Sequence, residues 1–190
     1  EIGSGLVGSE MCIRDSTSIV TSTGFVSTDY LLWGPFAATA FVVFSLTGGC
    51  TGSTSGSIKI FRWQVVFAQL KRAFITTTEP NRMVPLKIGH SNISAQVAGS
   101  IFIFLTAFSL STIVLTLSIA LTGIDFTTAF SGVVACLSNS GPGISQLIGP
   151  SGNYSSLPET AKWLLAFTML LGRLEVMTIL VIFTKSFWRQ

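Results

Sequence analysis

Charge is scarce in this 190-residue sequence: Asp, Glu, Lys and Arg make up only 10% of it, while apolar residues make up 48%. Soluble domains carry about 25% charged residues. So little charge excludes a disordered tail, a nucleic-acid-binding arm and most soluble enzymes. The composition instead predicts an integral membrane protein.

Histidine and cysteine are scarce as well. His90 is the only histidine and lies in a polar, Pro-containing stretch, where we expect a solvated side chain rather than a catalytic one. The three cysteines are odd in number, and their spacings fit neither a disulfide framework nor a zinc site. We therefore interpret the cysteines as small packing residues.

The positive charges are concentrated in one segment. Six of the eleven Lys and Arg residues lie between Thr51 and Gln96, where Glu79 is the only acid. Because positive residues collect in cytoplasmic loops, we predict that this segment lies on the inner side of the membrane. Its basic residues are expected to contact either anionic lipid headgroups or a regulatory partner. These residues are Lys59, Arg62, Lys71 and Arg72.

The first sixteen residues differ from the rest. Glu1–Ser16 carries four charges and lacks the basic start and apolar centre of a secretory signal. It resembles translated adapter sequence that contaminates some shotgun-assembled reading frames. We predict that residues 1–16 are a non-native leader and that part of the protein's N-terminal side is missing.

Long uncharged runs predict membrane-spanning helices, which need about 20 residues. The three runs are Tyr30–Leu46, Val97–Leu121 and Ala161–Phe183. The last of these runs is interrupted by Arg173 and Glu175. Phe126–Leu137 is apolar but too short to cross, and a Gly/Pro turn follows it. This pattern predicts a re-entrant hairpin.

A Gly-rich loop interrupts the apolar pattern. Thr47–Ser57 contains only Gly, Ser, Thr and Cys, with four glycines in eleven positions. Each glycine costs a helix about 1 kcal/mol relative to alanine, so we predict a break there. The helical pattern resumes at Ile58, with Ser57 as its N-cap.

Two short glycine-containing turns suggest a cation-binding site. A dehydrated cation needs about six to eight oxygens, which aligned backbone carbonyls can supply. Such carbonyls require positive φ at some positions, which glycine permits. Thr21–Phe25 and Ser138–Gly143 meet this requirement, each at the outer end of a predicted spanning segment.

Several motifs in order make the sequence similar to one family. It resembles the C-terminal part of the bacterial Trk/Ktr-type potassium-translocating subunit, and most closely the Trk branch. The motifs are SIVTSTGF (Ser18–Phe25), GGCTGSTSGSIK (Gly48–Lys59), LSNSGPG (Leu137–Gly143), AKW (Ala161–Trp163) and LLGRLEVMTILVIFTKSFWR (Leu170–Arg189).

The resemblance implies an all-α integral membrane fold built of potassium-channel-like helix–pore helix–helix units. Four such units surround one pore in the family, so residues 17–96 would be the end of the third unit and residues 97–190 the fourth. Two filter turns cannot enclose a cation, and the chain is therefore expected to be a fragment that does not function alone.

The resemblance also assigns residues. It implies a filter of Thr21, Ser22, Thr23, Gly24 and Phe25 from the third unit and of Ser138, Asn139, Ser140 and Gly141 from the fourth. It places K⁺ at the backbone carbonyls of Ser22, Thr23, Asn139 and Ser140. It implies a gating loop of Thr47, Gly48, Gly49, Gly52, Ser53, Thr54, Ser55 and Gly56, with the charge of Arg173 close to it.

The implied function is potassium uptake across the bacterial plasma membrane by a multi-pass protein. K⁺ is transported cargo, so neither a cofactor nor an enzyme activity is expected. The family pairs as a homodimer and is controlled by a cytosolic nucleotide-binding regulatory subunit, and contact with membrane lipid but not with nucleic acid is expected. A sodium-permeable or unselective monovalent cation transporter of the same fold is the alternative.

Three unrelated functions fit the sequence less well. An intramembrane serine protease would use Ser53 or Ser55 as nucleophile, but its base would have to be His90 in the inner loop. A phosphate-binding loop would need a G-x-x-x-x-G-K-[ST] order, whereas Lys59 is followed by Ile60. A purely structural membrane protein would not need glycine turns at the ends of its spans.

Overall fold

A computed structural model describes residues 3–53, 55–79, 85, 87–88 and 91–174, and this part of the chain is mainly helical. Two short 3₁₀ turns, Tyr30–Trp33 and Tyr154–Ser156, connect longer elements. The helices are α1 (Gly3–Val20), α2 (Pro35–Leu46), α3 (Ile60–Thr78), α4 (Ala95–Ala120), α5 (Phe126–Ser138) and α6 (Glu159–Arg173). The strands are β1 (Thr47–Gly48) parallel to β2 (Ile58–Lys59), and β3 (Lys87–Ile88) antiparallel to β4 (Ser91–Asn92).

Helix α4 confirms the predicted helix over Val97–Leu121. Its 26 residues make it the one helix in the described ranges that is long and apolar enough to span a membrane. At 1.5 Å per residue it is about 39 Å long, which exceeds a hydrocarbon core of about 30 Å. Ser94 caps its start, because the Ser94 hydroxyl accepts a hydrogen bond from the backbone N–H of Val97.

Helix α2 is shorter than predicted. The expectation of one helix over Tyr30–Leu46 is wrong at its start, because Gly34 has φ +98° and Pro35 opens the helix as its first residue. Proline fixes its own φ and lacks an N–H, so it suits a helix start and not a helix interior. The preceding 3₁₀ turn is capped by Asp29, whose carboxylate accepts from Leu31 N.

The described residues of the Gly-rich loop are non-helical, as predicted. Its two ends lie side by side, since Thr47 pairs with Ile58 and Gly48 with Lys59 in a short parallel bridge. The predicted N-cap role of Ser57 is wrong: α3 starts at Ile60 and Ser57 has φ +65°. Its hydroxyl instead donates to the carbonyl of Ser45, which α2 leaves without a helical partner near its end.

Helix α5 lies at the centre of the described core. It packs against α6, α4 and α2, and nearly all of its side chains after Thr127 are buried. Asp125 caps its start by accepting from Thr127 N at 3.1 Å. At about 20 Å it is too short to cross a hydrocarbon core, which agrees with the predicted short apolar helix.

Helix α6 follows the predicted third run as far as the structure describes it. It covers Glu159–Arg173, while residues 175–190, which include Glu175, lie outside the described residues. Gly172 permits close packing of α6 on α5, because a Cβ built there would overlap the carbonyl oxygen of Leu137.

We expect Gly172→Ala to destabilise the protein. In a helix interior this change ordinarily gains about 1 kcal/mol, but overpacking against a backbone atom costs about 1–3 kcal/mol. The melting temperature in detergent, followed by size-exclusion chromatography, should fall. Gly99→Ala in α4 is the matched control, since a Cβ there meets nothing within 4 Å, and an equal response of both variants would contradict the close packing.

Helix α1 includes most of the segment predicted to be a non-native leader. Asp15 is fully buried, and its carboxylate accepts hydrogen bonds from the backbone N–H and the hydroxyl of Ser27. The origin of residues 1–16 and the domain boundaries after residues 16 and 96 stay predictions.

Candidate cation pathway

Two helices end in turns of the same geometry, here called the first turn (Thr21–Phe25) and the second turn (Ser138–Gly141). In the first turn Ser22 has φ +56° and Gly24 has φ +82°. In the second turn Asn139 has φ +55° and Gly141 has φ +96°. The positive φ predicted for the two glycines is therefore present in both turns.

The hydrogen bonds of the two turns match as well. The backbone N–H of Thr23 donates to the carbonyl of Ser18 at 2.8 Å, and that of Ser140 donates to the carbonyl of Ala135 at 3.0 Å. Both bonds reach five residues back, which is the pattern of a Schellman helix end. The sequence analysis named Ser22 and Asn139 as filter residues but did not predict their positive φ, which this motif requires just past a helix end.

The two turns contact each other. A Cβ built on Gly24 would lie 2.6 Å from the carbonyl oxygen of Ser140. The Ser22 hydroxyl lies 3.3 Å from the carbonyl oxygen of Ser138, 116 positions away in the chain. The structure thus brings Ser22 and Gly24 of the first turn against Ser138 and Ser140 of the second, while Phe25 is largely exposed.

Two tyrosines hold the second turn and the residues after it. The Tyr154 hydroxyl donates to the carbonyl of Gly141 at 2.7 Å, and the Tyr30 hydroxyl donates to the carbonyl of Gly143 at 2.6 Å. Tyr30 is buried and stacks on Phe41 with ring centroids 4.4 Å apart. These are the only tyrosines in the sequence.

Burial favours the protonated form of both phenols, which are protonated at neutral pH even at the ordinary pKa of about 10. It raises the pKa of Tyr154 and of Tyr30 well above the usual range, and the nearby Asp29 carboxylate raises the pKa of Tyr30 further. Each hydroxyl therefore remains a donor at neutral pH. Sequence reasoning missed both donors, and the available signal was an Asx–Tyr pair at the start of each 3₁₀ turn, Asp29–Tyr30 and Asn153–Tyr154.

If the second turn lines a cation pathway, Tyr154→Phe in a full-length transporter that carries this segment should lower the ratio of Rb⁺ to Na⁺ flux severalfold. The change leaves the Gly141 carbonyl without its donor and loosens the second turn, at a cost of about 1–3 kcal/mol. The measurement is the ratio of Rb⁺ to Na⁺ flux in proteoliposomes. Tyr30→Phe is the comparison, because its bond reaches Gly143, beyond the turn; a larger loss for Tyr30→Phe would contradict this role.

The Gly-rich loop contacts both turns. The Ser55 hydroxyl lies 3.0 Å from the Ser22 hydroxyl, and the Ser57 hydroxyl lies 3.5 Å from the Ser138 carbonyl oxygen. A Cβ built on Gly56 would overlap that same carbonyl oxygen. Of the predicted gating-loop residues, Thr54 lies outside the described residues.

A cavity of about 210 Å³ adjoins the Gly-rich loop. Arg173 lines it, so the structure brings this predicted gate charge next to the loop. The Arg62 guanidinium lies 3.7 Å above the centre of the Phe104 ring, in a cation–π contact. Among the residues that the structure describes, the cavity lining comprises Ser53, Ser55, Gly56, Ser57, Lys59, Arg62, Phe104, Phe108, Gly172 and Arg173, of which three are basic and none is acidic.

A helix long and apolar enough to span a membrane, in the same fold as two helices that end in contacting glycine turns, indicates a helical membrane protein of the cation transport class. The family model of TrkH, described as a cation transport protein, matches residues 12–189. The chain belongs to the TrkH family, whose members are transport proteins and not enzymes.

Relatives of this chain agree with that assignment. It is 42% identical over 173 residues to the Trk system potassium uptake protein TrkI of Halomonas elongata and 36% identical over 173 residues to TrkH of Escherichia coli K12. Each alignment covers 91% of this chain and 35% of the relative. The crystal structure of the potassium transporter TrkH from Vibrio parahaemolyticus superposes with a TM-score of 0.83 at 34% identity, over 90% of this chain and 36% of that one.

The chain thus spans about a third of the length of the relatives it matches. It is mainly helical and similar to a membrane transporter of solved structure.

Proposed function

We propose that this chain forms part of a transporter that takes up potassium across the bacterial plasma membrane, through a pore that the two turns help to line. The contact between the turns is the observation that carries the proposal. Gly24 of the first turn lies against the Ser140 carbonyl of the second, so the backbones of two helix ends meet at one place. Peptide oxygens are the ligands that replace the water shell of a potassium ion.

In this proposal the carbonyls of Ser22, Thr23, Asn139 and Ser140 bind the dehydrated ion. The third and fourth pore units contribute these turns, and the first two units belong to the part of the transporter outside this chain. The relatives' names as potassium uptake proteins support potassium as the cargo.

The Gly-rich loop is the proposed gate. It touches both turns and carries no side chain larger than Thr or Cys, so it can rearrange without moving a packed core. The positive charge of Arg173, beside the loop, opposes cation passage until the loop moves.

The assembly is proposed to be a multi-pass homodimer in the plasma membrane, controlled by a cytosolic nucleotide-binding subunit. The basic residues of α3 and of the segment before it would contact that subunit or anionic lipid headgroups. Family membership supports these partners.

A growth test decides the function. A full-length Trk transporter that carries this segment should restore growth at low potassium to an Escherichia coli strain without potassium uptake systems. Absence of growth with the protein present in the membrane would contradict the proposal. Equal Na⁺ and Rb⁺ fluxes in proteoliposomes would instead favour the unselective cation transporter.

A further inference from the structure

Three hydrogen bonds in series join the Gly-rich loop to both turns. The backbone N–H of Gly49 lies 3.2 Å from the Ser55 hydroxyl oxygen, which lies 3.0 Å from the Ser22 hydroxyl oxygen. The Ser22 hydroxyl oxygen lies 3.3 Å from the carbonyl oxygen of Ser138. The series therefore begins in the loop, passes through the first turn and ends at the second.

The two ends of the series fix its direction. A backbone N–H only donates and a carbonyl only accepts, while each serine hydroxyl has one proton to give. The Ser22 hydroxyl donates its proton to the Ser138 carbonyl. The Ser55 hydroxyl must therefore be the donor in the bond between the two hydroxyls, and the Ser22 oxygen is the acceptor. One arrangement thus satisfies all three contacts, with donation running from Gly49 to Ser55, to Ser22, to Ser138. Hydrogen bonds in such a chain polarise and strengthen one another.

Other acceptors near Ser55 are more distant. The carbonyl oxygens of Val20 and Gly56 lie 3.4 Å from its hydroxyl, compared with 3.0 Å for Ser22. The bond to Ser22 is therefore the favoured use of the Ser55 proton. The series is partly buried, which makes loss of a partner more costly than at the surface.

We propose that Ser55 is a positioning residue that latches the Gly-rich loop to the two turns through this series of hydrogen bonds. The proposal rests on the proposed function of the loop as a gate. The Ser22 hydroxyl and the Ser138 carbonyl are oxygens at the ends of α1 and α5 that a cation leaving the turns would meet. While the loop is latched, these two oxygens take part in the hydrogen bonds of the series. The loop and the ion therefore compete for the same oxygens.

Removal of the Ser55 hydroxyl tests the latch in a full-length Trk transporter that carries this segment. We expect Ser55→Ala to raise the Rb⁺ flux measured without the regulatory subunit about threefold or more, and to lower the Rb⁺ concentration that gives half the maximal flux. Ser55→Thr keeps the hydroxyl, so its Rb⁺ flux and its half-maximal Rb⁺ concentration should equal those of the unaltered transporter. Ser100→Ala is the matched control, because its hydroxyl donates to Gln96 within α4 and is exposed.

A second measurement reads the series without relying on transport. The shifts in melting temperature of Ser22→Ala and Ser55→Ala should be non-additive, because both single variants lose the bond between the two hydroxyls. The shift of the double variant should therefore be smaller than the sum of the two single shifts. Additive shifts, or a flux for Ser55→Ala equal to that of Ser100→Ala, would overturn the latch. Non-additive shifts in a protein that carries no Rb⁺ would leave the latch standing and contradict the proposed function instead.

Discussion

Replacing Gly24 with alanine is expected to reduce Rb⁺ uptake by at least tenfold in a full-length Trk transporter that carries this segment. Gly24 has φ +82°, where a side chain costs about 1–2 kcal/mol, and its Cβ would lie 2.6 Å from the Ser140 carbonyl oxygen. The clash must push the first turn away from the second. Uptake of ⁸⁶Rb⁺ into cells or proteoliposomes measures the effect.

Gly123→Ala separates the clash from the backbone strain. Gly123 has φ +85°, nearly the value of Gly24, but a Cβ there meets nothing within 4 Å. Both variants place a side chain at nearly the same positive φ, and only Gly24→Ala disturbs the contact between the turns. If both variants lost uptake equally, the contact would not be the cause.

Replacing Arg173 with alanine is expected to raise the basal cation flux. Its side chain lines the cavity next to the Gly-rich loop together with Lys59 and Arg62, so its removal lowers the positive potential that a cation meets there. A barrier lowered by about 1.4 kcal/mol raises a flux about tenfold. Arg173 is exposed, and dissolved ions screen an exposed charge, so we expect a gain in flux of about three- to tenfold. Rb⁺ flux in the absence of the regulatory subunit measures it.

Arg173→Lys is the control for charge, since it keeps the positive side chain and should keep the basal flux low. Arg72→Ala, on the exposed part of α3, removes a charge away from the cavity and should leave the flux unchanged. An unchanged or reduced flux for Arg173→Ala, at normal expression, would contradict the role of this charge.

Local sequence features predicted the helices well where one physical signal dominated. The uncharged run that became α4 needed only apolar side chains, and the break at Thr47–Ser57 needed only glycines. The prediction for Tyr30–Leu46 was wrong at its start because it followed the uncharged run. The Gly34–Pro35 pair, and not hydropathy, sets where the helix starts. Ser57 failed as an N-cap because its hydroxyl had a tertiary partner in the Ser45 carbonyl.

The sequence by itself determined that this is a charge-poor, helical chain with glycine turns after two of its helices, because hydropathy and glycine content act over a few neighbouring residues. Only the tertiary structure decided that Ser22 meets Ser138 and Ser55 and that Tyr154 holds Gly141. These contacts join residues that are distant along the chain. They depend on how the helices pack, and hydrogen bonds and close approaches of that kind leave no periodic pattern in a single sequence.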